Sequence, residues 1–404
     1  MARLWSSGFE LNSTTANVEW TAAHSTPSIQ TTTVRSGTYT LQITSLGSGT
    51  AIGLRYQFAS AAGNGPYYFR TYFRVATLPS AENRIILLND SADLTTPIVY
   101  ITIDNSGVLR LYDEDGQITG TTTLSVDIWY NIEIKIDATP AAGSDVVEAR
   151  VDEAAAFATS SARSLSAGIH TLAVGGNLNS EAQTTGSWFF DDIAVNNSTG
   201  SFQNTYPGVG EIIHLRPNAT GDNSAWTGTN TNIDEVTPDD ATTVISVDGS
   251  TLNQIEDVNL DATPAALASD DTINVVQVGV RFSDDGVGGG ADSFVLRIKA
   301  SSGGTTEESS AIAANTAAFN TNAVSVPRNY RFTLYDLPGA STTAWTKTDL
   351  DVAQIGVKNT TDNADGIRVT VLWLLVDHQP AAASAGGEDW PHFQRRSFWN
   401  WDFS

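Results

Sequence analysis

The sequence predicts an all-β chain folded as two β-sandwiches and closed by an aromatic-rich C-terminal tail. Three observations carry this. Apolar and polar residues alternate at period two over 37–44, 98–103, 108–112 and 129–136, the pattern of half-buried antiparallel strands. Turn-forming residues separate such runs, as in Asp104-Asn105-Ser106-Gly107 and Asp113-Glu114-Asp115-Gly116. Helical period is scarce: Ala154-Ala155-Ala156 and Ala311-Ile312-Ala313-Ala314 are too short to nucleate long helices.

In chain order, residues 1–197 hold the first block of strands. The polar stretch Asn196-Asn197-Ser198-Thr199-Gly200-Ser201 and the turn Tyr206-Pro207-Gly208-Val209-Gly210 place a linker over 198–210. A second block occupies 211–379, with strands expected at 211–216, 243–247, 272–282, 293–300, 330–334, 353–358 and 366–376. From Pro380 a run of small residues, 381–387, reads as a linker to the tail. No repeat of fixed period is visible, which argues against a propeller or solenoid.

Composition excludes several classes. In 404 residues there are 21 Lys and Arg against 45 Asp and Glu, a net charge of −24. Such a field opposes phosphate backbones and anionic membranes, so neither nucleic acid nor a membrane is an expected partner. Cysteine is absent, which removes disulfides, thiolate catalysis and cysteine-based zinc sites. No apolar segment follows Met1-Ala2-Arg3-Leu4-Trp5, so no signal peptide is expected, and the densest apolar run, 369–376, is only strand-length.

Catalytic signatures are missing. There is no phosphate-cradling glycine loop, no Gly-x-Ser-x-Gly elbow and no His-Glu-x-x-His. The five histidines lie far apart in sequence. Glycoside hydrolysis needs two carboxylates across a cleft. Glu133 and Asp137 share a strand face with Asn131 and Lys135, which reads as an ordinary solvent face. No enzyme is expected. Asp113-Glu114-Asp115-Gly116 and Asp284-Asp285-Gly286 have calcium-loop composition, but a solvated hairpin tip explains either.

Trp5-Ser6-Ser7-Gly8-Phe9-Glu10, Arg35-Ser36-Gly37-Thr38-Tyr39-Thr40-Leu41, Tyr67-Tyr68-Phe69-Arg70-Thr71-Tyr72-Phe73-Arg74-Val75, Trp129-Tyr130-Asn131-Ile132-Glu133 and Gly186-Ser187-Trp188-Phe189-Phe190-Asp191-Asp192-Ile193-Ala194-Val195 follow one another along the first block. Through them residues 4–195 resemble the concanavalin-A-like or laminin-G-like jelly roll of phage structural proteins and carbohydrate-binding modules. Through Leu215-Arg216-Pro217-Asn218, Ser224-Ala225-Trp226-Thr227, Ile233-Asp234-Glu235-Val236 and Ala344-Trp345-Thr346-Lys347, residues 205–377 resemble a β-rich domain of tailed-phage virion proteins. The pairing implies a non-enzymatic virion component, a capsid decoration, head fibre or tail-associated protein, that meets a host-surface glycan; the alternative is a receptor-recognition lectin of the tail.

The resemblance also implies a structural calcium ion, held where the opening and closing strands meet, at Glu10, Asp191 and Asp192. Pairing of the two aspartates with arginine, or their solvation, is the competing reading. Tyr68, Arg70 and Tyr72 share a strand face with Arg74 and are the expected glycan-binding residues, against a buried structural role. Virion components are multivalent, so a homo-oligomer is expected. Finally, Trp390, Phe393, Phe398, Trp399, Trp401 and Phe403 crowd the tail beside Arg395 and Arg396. These are the residue types of interface hot spots, so the tail is expected to dock on a neighbouring virion subunit or a second copy, unless it folds back on its own domain.

Overall fold

The structure, a computed structural model, describes residues 3–381 apart from 17, 26, 48–49, 59–63, 91–93, 95–96, 140–141, 167, 179–183, 200, 241–242, 248–250, 285–291, 315–327, 335–343 and 362–365. The tail residues Trp390 to Phe403 lie outside the described residues. The chain is all-β: four antiparallel sheets form two sandwiches, and the described helical elements are a single turn over Asn230–Asn232 and the helix Lys347–Asp351, capped by Thr346.

The first sandwich uses strands between Arg3 and Asn197. Its inner sheet runs Ala158–Arg163, Asp145–Val151, Trp129–Asp137, Tyr67–Thr77, Thr185–Asn197, Thr40–Leu46, Ser28–Gln30, with Arg3–Ser7 also on Thr185–Asn197. Its outer sheet runs Gly116–Gln117, Val108–Asp113, Pro97–Ile103, Asn83–Asn89, Thr171–Gly176, Ile52–Gln57, Ala22–His24. Alternation sends Phe69, Phe73 and Val75 of one strand, and Ile132, Ile134 and Ile136 of another, into the core between the sheets. Val99, Ile101, Ile103, Leu109 and Leu111 answer them from the outer sheet.

The second sandwich uses strands between Glu211 and Gln379. The sheet facing the first sandwich runs Glu211–Leu215, Ile367–Gln379, Thr272–Asp284, Arg328–Leu334; the far sheet runs Pro217–Ser224, Ile255–Leu260, Gln354–Asn359, Asp292–Lys299, Thr306–Glu308. Pro217–Ser224 and Ile255–Leu260 carry no apolar alternation that would announce them as strands. The long strand Ile367–Gln379 is re-phased by a bulge, because Arg281 pairs with Val371 while Phe282 pairs with Val369. Ile367 and Val369, then Leu372, Leu374 and Val376, enter the core of this sandwich. Val371, Trp373 and Leu375 therefore point the other way and cluster with Ile212 against Leu11 and Val18 of the first sandwich. The strand is apolar on both faces because both faces are buried.

The segment expected as the linker, 198–210, is held against the first sandwich. Tyr206 donates to Glu148 Oε1 at 2.7 Å and sits under the Arg150 guanidinium, and the Gly208 N–H donates to Glu133 Oε1 at 2.8 Å. The Asn131–Glu133 strand face expected in solvent is thereby covered: Glu133 and Asn131 are buried.

Candidate functional site

Two polar assemblies stand out, one at the joint between the sandwiches and one on the opposite side of the first sandwich. The joint is built on Asp377, the outward residue that follows Trp373 and Leu375 in phase. Its Oδ2 accepts from Arg3 Nη1 at 2.7 Å and Arg70 Nη2 at 3.2 Å, and none of the three side chains has any exposure. Burial pushes the Asp377 carboxyl up, but Arg70 and Arg3 outweigh it and hold it below the usual carboxylate range. Gly210 lets the chain pass: a Cβ there would lie 2.2 Å from Arg70 Nη1 and 2.3 Å from Asp377 Oδ1.

This corrects the expected glycan-binding set. Arg70 spends its guanidinium on Asp377 and on the Asp192 carbonyl, Tyr72 is buried beneath Arg35 with Cζ 3.3 Å from the ring centre, and Tyr68 packs edge-on against Tyr206. The alternation places them on one face, as expected, but the second sandwich and the 198–210 segment cover that face.

Glu10, Asp191 and Asp192 also lie at the joint. A bulge between Asp191 and Ala194 puts Asp192 at φ 49°, in the left-handed region. Asp192 accepts from Arg35 Nη1 at 2.5 Å, Ser36 Oγ at 2.6 Å and the Ile212 N–H at 2.7 Å. Asp191 accepts the backbone N–H of Arg35 and of Asp192, and Glu10 Oε1 accepts the N–H groups of Thr38 and Tyr39. Among the described residues no group of three or more His, Cys, Asp or Glu is arranged to hold a metal ion. The donor set does not fit calcium, since a guanidinium and backbone N–H groups occupy the oxygens it would need; arginine pairing is the arrangement seen at Asp192. Burial pushes the Glu10 carboxyl up to about 8 and Glu211 up to about 7, and burial with the neighbouring Asp192 charge raises Asp191 well above its ordinary value.

The second assembly is a cleft of about 230 Å³ on the exposed side of the outer sheet. The turn at 104–107 sets its register: Asp104 Oδ1 accepts the N–H groups of Ser106 and Val108, so Tyr100 pairs with Tyr112 and Thr102 with Arg110. Core residues take one phase of these strands, leaving Tyr100, Thr102, Arg110 and Tyr112 on the other. The Tyr100 and Tyr112 rings stack with centroids 4.8 Å apart and planes 2° apart, and the Arg84 guanidinium covers the other face of Tyr100 at 3.8 Å. On the other side of Tyr112 its cross-strand partner is Gln117, an exposed residue of the edge strand.

Glu82 stands at the rim. Its Oε1 accepts from Thr102 Oγ1 at 2.6 Å and Tyr112 Oη at 3.0 Å, which fixes the carboxylate. Its Oε2 takes no hydrogen bond among the described residues, and the side chain is 42 % exposed. Asn83, Asn177 and Leu178 close the far wall, the two amides bonded to each other at 2.8 Å. Burial pushes the Tyr112 phenol up to about 12, and Glu82 beside it adds to that. Sequence reasoning passed over these residues as ordinary strand. The available signal was an aromatic in the non-core phase of both strands of one hairpin.

The sequence matches no family model. It matches no curated protein either. Solved structures with a similar chain path include a cellulose-induced protein, Cip1, at 18 % identity and TM-score 0.38, with 51 % of this chain and 99 % of that one covered. A Trypanosoma rangeli sialidase in complex with 2,3-difluorosialic acid is similar at 13 % identity and TM-score 0.32, over 43 % of this chain and 26 % of that one. The catalytic domain of a glycoside hydrolase family 131 protein from Coprinopsis cinerea is similar at 14 % identity and TM-score 0.30, over 52 % of this chain and 98 % of that one. What these likenesses concern is a β-sandwich chain path, not a site.

Proposed function

We propose that the protein is a non-catalytic carbohydrate-binding protein whose sugar site is the outer-sheet cleft. The observation that carries this is the Arg84–Tyr100–Tyr112 ladder beside a fixed carboxylate with one open oxygen. Sugar recognition combines an aromatic face for the apolar side of a pyranose with polar groups for its hydroxyls. Hydrolysis asks for something else, a protonated acid opposite a second carboxylate. Here Glu82 and Asp104 both face Arg110, at 3.8 and 2.8 Å. Burial pushes the Asp104 carboxyl up, but the hydrogen bonds from Arg110, Ser106 and Val108 prevail and keep it below its ordinary value, hence ionised. A glycan array probed with the wild-type protein and with Tyr112→Ala tests the reading. Retention of at least one glycan by the wild type and its loss in the variant are expected; retention unchanged in the variant rejects this cleft as the site.

The setting we propose is the particle of a tailed phage, on the strength of the two sequence resemblances. The second sandwich then serves as mount, and the segment carrying Trp390, Phe393, Arg395, Arg396, Phe398, Trp399, Trp401 and Phe403 as the anchor to a neighbouring subunit. Deleting 388–404 should leave both sandwiches folded and abolish incorporation into particles; normal incorporation of the truncated chain rejects the anchor.

A further inference from the structure

Resting on the reading of the outer-sheet cleft as a sugar site, we infer that its ligand is an uncharged, hydroxyl-rich sugar end of one or two rings, held through vicinal hydroxyls by Glu82, and that uronate- and sialate-bearing glycans are refused. The first support is the state of the cations. One arginine lines the cleft, and it is committed: Arg84 is buried with its guanidinium carbon 3.8 Å from the centre of the Tyr100 ring, while Arg110 beside the cleft is paired with Asp104 at 2.8 Å and faces Glu82 at 3.8 Å. An anionic sugar is usually met by an arginine fork presented to its carboxylate. Among the described residues of this cleft neither guanidinium is presented that way.

The second support is the carboxylate. Glu82 Oε1 is anchored by Thr102 and Tyr112, so Oε2 is held at the rim without a donor of its own among the described residues. An ionised carboxylate only accepts hydrogen bonds. It is matched by hydroxyl donors and repels a second carboxylate, and the net charge of −24 adds long-range repulsion to the same effect. The third support is size. A cleft of about 230 Å³ is smaller than the roughly 300–1,000 Å³ of most small-molecule sites, so it takes the end of a glycan rather than a long stretch of it.

The test is titration calorimetry and array binding of the full chain against two sets of probes. The uncharged set is cellohexaose, maltohexaose, laminarihexaose and chitohexaose; the anionic set is hexagalacturonate and α2,8-linked hexasialic acid. Wild type, Glu82→Gln and Tyr112→Ala are compared, with circular dichroism as the folding control. We expect binding within the uncharged set only, weakened about tenfold or more in Glu82→Gln, as for loss of a hydrogen bond to a charged group. Binding of an anionic probe that Tyr112→Ala abolishes overturns the charge inference and leaves the sugar site standing. An uncharged probe held equally by wild type and Glu82→Gln overturns the role of Glu82. Failure of every probe in both sets with the folded wild type overturns the sugar-site reading itself.

Discussion

Asp377 of the second sandwich pairs with two arginines of the first. It is buried between Arg3 and Arg70, so removing it strands two buried guanidinium groups. Asp377→Ala should cost about 3–5 kcal/mol in a denaturant titration, the usual cost of breaking a buried pair from one side. Glu10 carries the opposite kind of proton linkage. Its carboxyl is raised by burial to about 8, so the folded state holds a proton that the unfolded state has released. The stability it contributes is full below pH ~4.5 and is lost as pH rises through 8. Glu10→Gln should therefore gain on the wild type from pH 5 to about pH 8 in thermal melts and level off above it. Because Arg35 and backbone N–H groups answer the carboxylates around it, adding EDTA should leave the melting temperature unchanged.

At the scale of the strand, the turn at 104–107 does most to shape the cleft. Asp104 holds Ser106 and Val108 from the backbone side and Arg110 from the other, so one residue sets the hairpin register that places Tyr100, Thr102 and Tyr112 in the site. Asp104→Ala should cost about 1–2 kcal/mol in stability, as for loss of a local side-chain-to-backbone cap. It should weaken glycan binding more than it weakens folding, measured by calorimetry beside a thermal melt. Much at this scale was legible in the sequence. The alternation of 98–103, 108–112 and 129–136 marks real strands, and the Asp104 turn is where the pattern puts it. Pro217–Ser224 was not legible, because an edge strand of turn-forming residues has no buried face to advertise. Ile255–Leu260 was not, because Glu256 and Asp257 are buried there with the Trp226 N–H, Arg297 and Lys299 as partners. The face holding Tyr68, Arg70 and Tyr72 was read correctly as one face, and its occupant could not be read from a single strand.

At the scale of the molecule, the apolar run 369–376 carries the clue to how the sandwiches join. A strand that alternates needs one covered face, whereas one that is apolar throughout needs two. Trp373 and its neighbours fill the second, and the charges around Asp377 and Asp192 close the rim. The joint consumes the inner sheet's outward face, while on the outer sheet Leu94 and Leu178 cover Leu87 and Ala173 and leave the tyrosine ladder beside them half-buried. That assignment of faces is the centre of the account. A crystal structure of the full chain soaked with an array-positive oligosaccharide addresses it in one step. Density for a sugar ring on Tyr112, with a pair of hydroxyls on Glu82, is the predicted result. Density on the Tyr68–Tyr72 strand or anywhere on the second sandwich, with the outer-sheet cleft empty, would contradict it.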